Sequence, residues 1–155
     1  LGDPRLDCRC TPPLIERYRS RISGPLLDRI DLHVEVPALS LHELKGPPSE
    51  PTVEVAHRVT AARTLQSERF GVSCGTPVNA AMDPEQLRRH CVLHGEARTL
   101  LDGAFERLKL SARALTRILK VSRTIADLAG EPEILVGHIA EAIQYRSLDR
   151  RLDRY

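Results

Sequence analysis

Aromatic residues are scarce in this chain. Among its 155 residues there are two Phe, three Tyr and no Trp, and Met occurs once. Any core must therefore consist mainly of aliphatic side chains, since large rings are not there to fill it. A hydrophobic content of 41% with 28% charged residues is ordinary for a soluble globular protein. This composition argues against a disordered chain.

Long apolar segments are also missing. No run approaches the roughly 20 apolar residues that a membrane-spanning helix needs, and the first residues do not show the basic and then apolar pattern of a signal peptide. We therefore expect a cytoplasmic protein without a membrane partner. The formal net charge is only +2, so the overall charge does not by itself indicate a nucleic-acid partner.

The four cysteines do not suggest disulfides. Cys8 and Cys10 form a Cys-x-Cys pair, whereas Cys74 and Cys91 stand alone. Such spacing without a secretory signal does not predict a disulfide framework. A Cys-x-Cys pair can supply two of the four ligands that zinc prefers. Cys8 and Cys10 are thus half of a candidate zinc site, and two unpaired loop thiols explain the same residues equally well.

The sequence lacks the motif that usually binds nucleotide phosphates. No GxxxxGK[ST] phosphate loop occurs in the sequence, and this loop is what cradles phosphates in many ATPases. The six histidines show no ligand spacing on one helix face. We therefore do not expect this chain to bind and hydrolyse a nucleotide unaided.

The first forty residues predict a helix and a strand. Thr11 and the prolines after it indicate a helix start with a hydroxyl cap, and Gly24-Pro25 indicates its end. Apolar residues then alternate with polar ones from Ile30 to Val36, which predicts a strand. A single strand is not stable alone. We therefore expect its sheet partners to lie outside this sequence, and residues 1 to about 40 to pack poorly by themselves.

The rest of the chain, after a loop, is predicted to be helical. Four prolines and a glycine between residues 37 and 51 indicate a loop. Caps and three- or four-residue apolar spacing then predict a small aliphatic helical bundle, followed by a frayed tail from residue 146. The predicted helices are one capped by Thr52 and ending near Phe70, one starting at Asp83, one along 97–108, one between Ser111 and Gly130, and one along 137–145.

Two arginines call for an explanation. Arg29 lies between Asp28 and Asp31, after a Gly-Pro break. It is either part of a solvated, self-neutralised turn or a cation held to reach something outside this chain. Arg113 lies two residues after the Ser111 cap, where the helix dipole disfavours a cation by about 0.3–1 kcal/mol. It is either an exposed arginine tolerated at that cost or a residue that helps to bind an anion, which helix N-termini favour.

Several short sequence motifs together resemble those of a known family. The sequence is similar to the C-terminal part of the magnesium-chelatase-like AAA+ ATPases, the family of the ComM and YifB proteins. The resemblance covers nearly the whole chain and rests on DCRC (7–10), YRSRISGPLLDRID (18–31), NA (79–80), SAR (111–113), RTIADL (123–128) and QYRS (144–147). It implies a mainly α chain: the end of an AAA+ αβα core with one strand at 1–37, a linker at 38–51, an all-helical lid at 52–148 and a tail at 149–155.

The resemblance also implies roles. Arg29 matches the arginine finger, which acts in trans on the nucleotide of the neighbouring subunit. Arg113 matches the second sensor, which reads the nucleotide's phosphates. Cys8 and Cys10 match the second half of a four-cysteine zinc loop whose first half is missing from this sequence. The cofactors would be ATP and Mg in the full-length member, with Zn as a further candidate, and this chain alone would hold none of them tightly.

The implied activity is that of a motor. The resemblance suggests ATP-dependent DNA remodelling, by branch migration or helicase action, in a hexameric ring whose partners are the rest of the AAA+ protein, the neighbouring subunits and DNA. Walker A and Walker B motifs are missing from the sequence, so we do not expect this chain to hydrolyse ATP alone. The alternative is a stand-alone helical DNA- or protein-binding module, or the remnant of a split gene, without ATPase activity.

Overall fold

The computed structural model describes residues 9–27, 29–71 and 78–146. Within these residues the protein is mainly helical, as expected, and none of the helices is long and apolar enough to cross a membrane. In chain order the helices are α1 (Pro12–Arg19), α2 (Gly24–Leu27), α3 (Leu41–Leu44), α4 (Thr52–Phe70), a 3-10 turn (Asn79–Ala81), α5 (Pro84–His90), α6 (Gly95–Leu108), α7 (Ala112–Ala129) and α8 (Val136–Gln144).

Helix α7 is the centre of the bundle. It packs against α8, α4, α5 and the 3-10 turn, while α6 packs against α8. The core between these helices is aliphatic, as the scarcity of aromatic residues predicted. Its most deeply buried apolar side chains are Ala114, Ile118, Ala126, Ile139 and Ala142.

Local signals fix the ends of two helices as predicted. The Ser111 hydroxyl accepts a hydrogen bond from the Ala114 amide at the start of α7, and Gly130 ends that helix in the left-handed conformation with φ of 73°. The start of α5 at Asp83, also predicted, is set by a reciprocal capping box between Asp83 and Gln86. These caps set where α7 begins, and so where Arg113 lies.

Other predicted caps are wrong. Thr52 is the first residue of α4, and Pro51 occupies the capping position. Thr11 does occupy the N-cap position of α1, followed by Pro12 as predicted, but its hydroxyl makes no capping hydrogen bond. The predicted loop 37–51 contains the short helix α3, because the Ser40 hydroxyl and the Glu43 carboxylate form a capping box that sequence reasoning missed.

The strand predicted from Ile30 to Val36 is also wrong for the described residues, which form no β-ladder. Its burial pattern is the reverse of the prediction: His33 is 6% exposed, whereas Val34 and Val36 are 67% and 85% exposed. A strand requires a neighbouring strand to accept its backbone hydrogen bonds. Lacking one here, the segment lies as extended chain and bonds to a helix end instead, where the His33 amide donates to the Tyr145 carbonyl at 2.7 Å.

The end of α8 is better packed than a frayed tail. Arg146, which we expected to be the first residue of that tail, is only 2% exposed, because its guanidinium reaches the Ile30 carbonyl. Apolar side chains of the first forty residues do remain exposed, as expected for a segment with little of its own core. They include Leu14, Tyr18, Ile22, Leu26, Ile30 and Leu32.

Candidate functional site

Arg29 lies in a tight turn that directly follows α2. Its amide donates to the Leu26 carbonyl and the Ile30 amide donates to the Leu27 carbonyl, both at 3.0 Å. The Leu27 side chain is buried, whereas Arg29 is exposed. The turn therefore presents a cation to solvent beside a side chain that is anchored in the protein.

Three contacts hold the chain immediately after Arg29. The Arg146 guanidinium donates to the Ile30 carbonyl at 2.5 Å. Asp31 pairs with Arg117 of α7. The His33 amide donates to the carbonyl of Tyr145, the residue that ends α8. The turn is consequently fixed to α7 and to the end of α8. Asp31 pairs with Arg117 and so neutralises a charge on the helical bundle.

Arg113 is exposed in the first turn of α7. Arg117 lies four residues further along the same helix, so the two side chains share one face. The structure thus brings the Arg29 turn next to the helix that carries Arg113, with the ion pair of Arg117 and Asp31 as the link. No direct contact between Arg29 and Arg113 is part of this arrangement.

The cysteines differ in their surroundings. Cys8 lies outside the described residues, and Cys10 is exposed just before α1. No group of three or more metal-binding side chains occurs in the described parts of the chain. Cys91 is buried, and this burial raises the pKa of its thiol to about 11. Its sulfur lies 3.9 Å from that of Met82, so it packs as a core residue.

A buried polar network joins α4, the 3-10 turn and α7. Its centre is Asp127, whose carboxylate accepts from Arg69 at 2.8 and 2.5 Å, from the Asn79 amide group at 2.7 Å and from Arg123 at 3.0 Å. Asp127, Asn79 and Arg123 are each at most 3% exposed. Buried charges are tolerated when they are paired and hydrogen-bonded to this extent.

The network also orders the loop between α7 and α8. Arg123 donates to the carbonyl of Pro132 at 2.8 Å and to that of Glu131 at 2.6 Å. At the other end of the network, the backbone amide of Asn79 donates to the side-chain oxygen of Gln66 in α4 at 3.2 Å. Sequence reasoning missed this cluster. The available signal was the Arg123–Asp127 pair, whose (i, i+4) spacing puts two opposite charges on one face of α7.

The packing shifts the pKa of two side chains, Asp127 and His90. Burial alone would raise the pKa of Asp127, but the hydrogen bonds from Arg69 and Asn79 and the charge of Arg123 together bring it below its usual value. The pKa of His90 is lowered, chiefly because the ring is partly buried and also because Arg69 and other arginines lie near. His90 packs edge-on against Phe70, with ring centroids 5.7 Å apart.

Comparison with known proteins agrees with the helical bundle. The family described as "Magnesium chelatase, subunit ChlI C-terminal" matches residues 49–146, and "Magnesium chelatase, subunit ChlI" matches residues 1–44. The competence protein ComM of Haemophilus influenzae is 43% identical over 94% of this chain, and the YifB proteins of Salmonella typhimurium and Escherichia coli are 40% and 41% identical over 93%. The chain spans 28% of the length of each of these relatives. It belongs to the family of the C-terminal domain of the magnesium chelatase subunit ChlI.

Proposed function

We propose that this chain supplies an arginine finger, Arg29, and a phosphate sensor, Arg113, to an ATP-hydrolysing motor that remodels DNA. The observation that carries the proposal is the Arg29 turn. The exposed residue Arg29 lies there between a buried Leu27 and the anchored residues Ile30 and Asp31. A solvated turn that only balanced its own charges would not need contacts to two helices.

The guanidinium of Arg29 is suited to bind a phosphate group outside this chain. A guanidinium is planar, always charged and well shaped for phosphate oxygens. In the proposed motor, ATP bound with Mg in a neighbouring subunit supplies the phosphoryl group that is transferred. Arg29 would lie against that group and stabilise the charge that develops on it. Arg113, at the start of α7 where an anion is favoured and a cation is not, would contact the phosphates.

The proposed partners follow from the family. We expect residues 1–37 to belong to the end of an AAA+ core, 38–51 to act as a linker and 52–148 to form its helical lid, with the rest of the AAA+ protein and neighbouring subunits of a hexameric ring as partners. One relative is named for competence, which supports DNA taken up by the cell as the material handled. A zinc site with Cys8 and Cys10 stays a prediction.

The proposal is tested with Arg29→Ala in a full-length family member that carries this chain as its C-terminal part. Loss of an arginine finger lowers kcat for ATP by about a thousandfold or more, while nucleotide binding stays nearly unchanged because the ATP-holding residues are elsewhere. Arg21→Ala is the matched control, since Arg21 is exposed in the segment before α2 and has no proposed role. Equal turnover in the two variants would contradict the finger.

A further inference from the structure

We propose that Arg117 of α7 and Arg146 at the end of α8 are positioning residues for Arg29. They hold the Arg29 turn on the same helical unit that carries Arg113, so that the finger and the sensor move together. This proposal rests on the proposed function of Arg29 and adds the residues that keep it in place.

The turn cannot hold itself. Helix α2 has only four residues, and its continuation through Arg29 consists of two backbone hydrogen bonds. Isolated helical turns of this length are unstable in water, because their nucleation cost is not recovered. The order of the turn must therefore come from contacts with other elements, which are the burial of Leu27 and the bonds made by Ile30, Asp31 and His33.

Arg146 supplies the most buried of these contacts. Its side chain is 2% exposed and donates to the carbonyl of Ile30, the residue directly after Arg29. A cation is expensive to bury unless it is hydrogen-bonded. The hydrogen bond to the Ile30 carbonyl offsets part of the cost of burying Arg146, and it fixes the backbone next to Arg29.

Arg117 supplies the link to the sensor. It pairs with Asp31, two residues after Arg29, and the two side chains are 28% and 44% exposed. Arg117 and Arg113 share one face of α7, one turn apart. A shift of α7 when Arg113 meets a phosphate would therefore pull on Asp31 and reorient the Arg29 turn.

Hydrogen exchange of the 155-residue chain tests the contacts of Arg117 and Arg146 with the Arg29 turn, without any ATPase assay. We expect Arg117→Ala and Arg146→Gln each to speed exchange of the Ile30 and His33 amides by about tenfold, the effect of losing one hydrogen bond to a charged group. Amides of α6 serve as the internal reference. Since replacing the buried Arg146 also lowers overall stability, Arg117→Ala is the deciding variant.

The control is Arg98→Ala, which removes an arginine–aspartate pair within α6, Arg98 with Asp102, that makes no hydrogen bond or ion pair with the described residues of the Arg29 turn. It should leave the Ile30 and His33 amides unchanged. Exchanging the charges, Asp31→Arg with Arg117→Asp, should restore most of the lost protection. Unchanged exchange in Arg117→Ala would overturn the proposal.

The second readout is turnover in the full-length family member carrying this chain. Misplacing a catalytic group costs about ten- to a hundredfold in kcat, so we expect that loss in Arg117→Ala with little change in KM, and recovery in the charge-exchanged variant. Faster exchange with unchanged kcat, in an enzyme that Arg29→Ala inactivates, would overturn the positioning role. If Arg29→Ala leaves turnover intact, the proposed function itself is wrong and the positioning role falls with it, so this variant tells the two failures apart.

Discussion

Arg69 of α4 and Arg123 of α7 share a single carboxylate, that of Asp127. Arg69 approaches it with both terminal nitrogens, and Arg123 approaches with Nε at 3.0 Å. The Asp127 side chain is 0% exposed, and those of Arg69 and Arg123 are 15% and 4% exposed. Two cations can lie this close only because the carboxylate is between them. Asp127 therefore joins α4 to α7 through a buried ion pair.

Asp127→Asn tests this role. The variant keeps the shape of the side chain but leaves two partly or fully buried guanidinium groups without their counter-charge. Removing one partner of a buried ion pair costs about 3–5 kcal/mol, so we expect that loss in the free energy of unfolding, measured by urea denaturation. Asp102→Asn is the control, since its pair with Arg98 is more than 60% exposed on both sides. It should cost at most about 0.5 kcal/mol, and equal losses would contradict the network.

Acid should destabilise the chain in two stages. The folded pKa of His90 lies below its ordinary 6.5, so the unfolded chain takes up that proton first and stability falls as the pH drops below that value. The pKa of Asp127 is lowered from its ordinary 3.8. Its contribution is complete above that pH and is lost as the pH falls through the folded pKa.

Unfolding free energies measured across this pH range check the assignment. We expect a shallow decrease below pH 6.5 that is missing in His90→Gln. A further decrease below the ordinary aspartate pKa of 3.8 should shrink in Asp127→Asn. A pH profile that is identical in the parent and in both variants would show that neither group carries the effect.

Local signals predicted the helical bundle well. The caps at Ser111 and Asp83 and the stop at Gly130 are interactions within a few residues, so a sequence reading can find them. The strand at 30–36 was wrong because whether extended chain forms a ladder depends on a partner, and alternation says nothing about that. The expected fraying at Arg146 was wrong for a similar reason, since its partner, Ile30, lies 116 residues away.

The candidate site was likewise predictable only where it depends on local sequence. The sequence placed Arg29 in a turn and Arg113 at a helix start, and both positions are confirmed. Their catalytic and sensing roles stay predictions. The predicted break at Gly24-Pro25 was wrong, because α1 already ends before it and these two residues open α2. The contacts that hold the Arg29 turn could not be predicted from the sequence. Arg117 and Asp31 are far apart in sequence, and each looks like an ordinary surface charge.

Cys91 should be inert in the folded chain. Its pKa of about 11, raised by burial, leaves very little thiolate near neutral pH, and the thiolate is the reactive form. We expect alkylation of Cys91 to be about a hundredfold slower or more than that of the exposed Cys10, followed by mass spectrometry of the peptides. In urea the two thiols should react at similar rates, and fast labelling of Cys91 before unfolding would contradict its burial.

Arg113→Ala should make the chain more stable and the proposed motor less effective. A cation in the first turn of a helix costs about 0.3–1 kcal/mol, so the variant should gain stability of that order in urea denaturation. Arg107→Ala is the control of opposite sign, because Arg107 lies in the last turn of α6, where the dipole favours it. In the full-length family member, Arg113→Ala should alter nucleotide affinity or its coupling to hydrolysis, whereas Arg107→Ala should not. A stability gain without any change in nucleotide behaviour would make Arg113 a tolerated surface residue and remove the sensor from the proposed function.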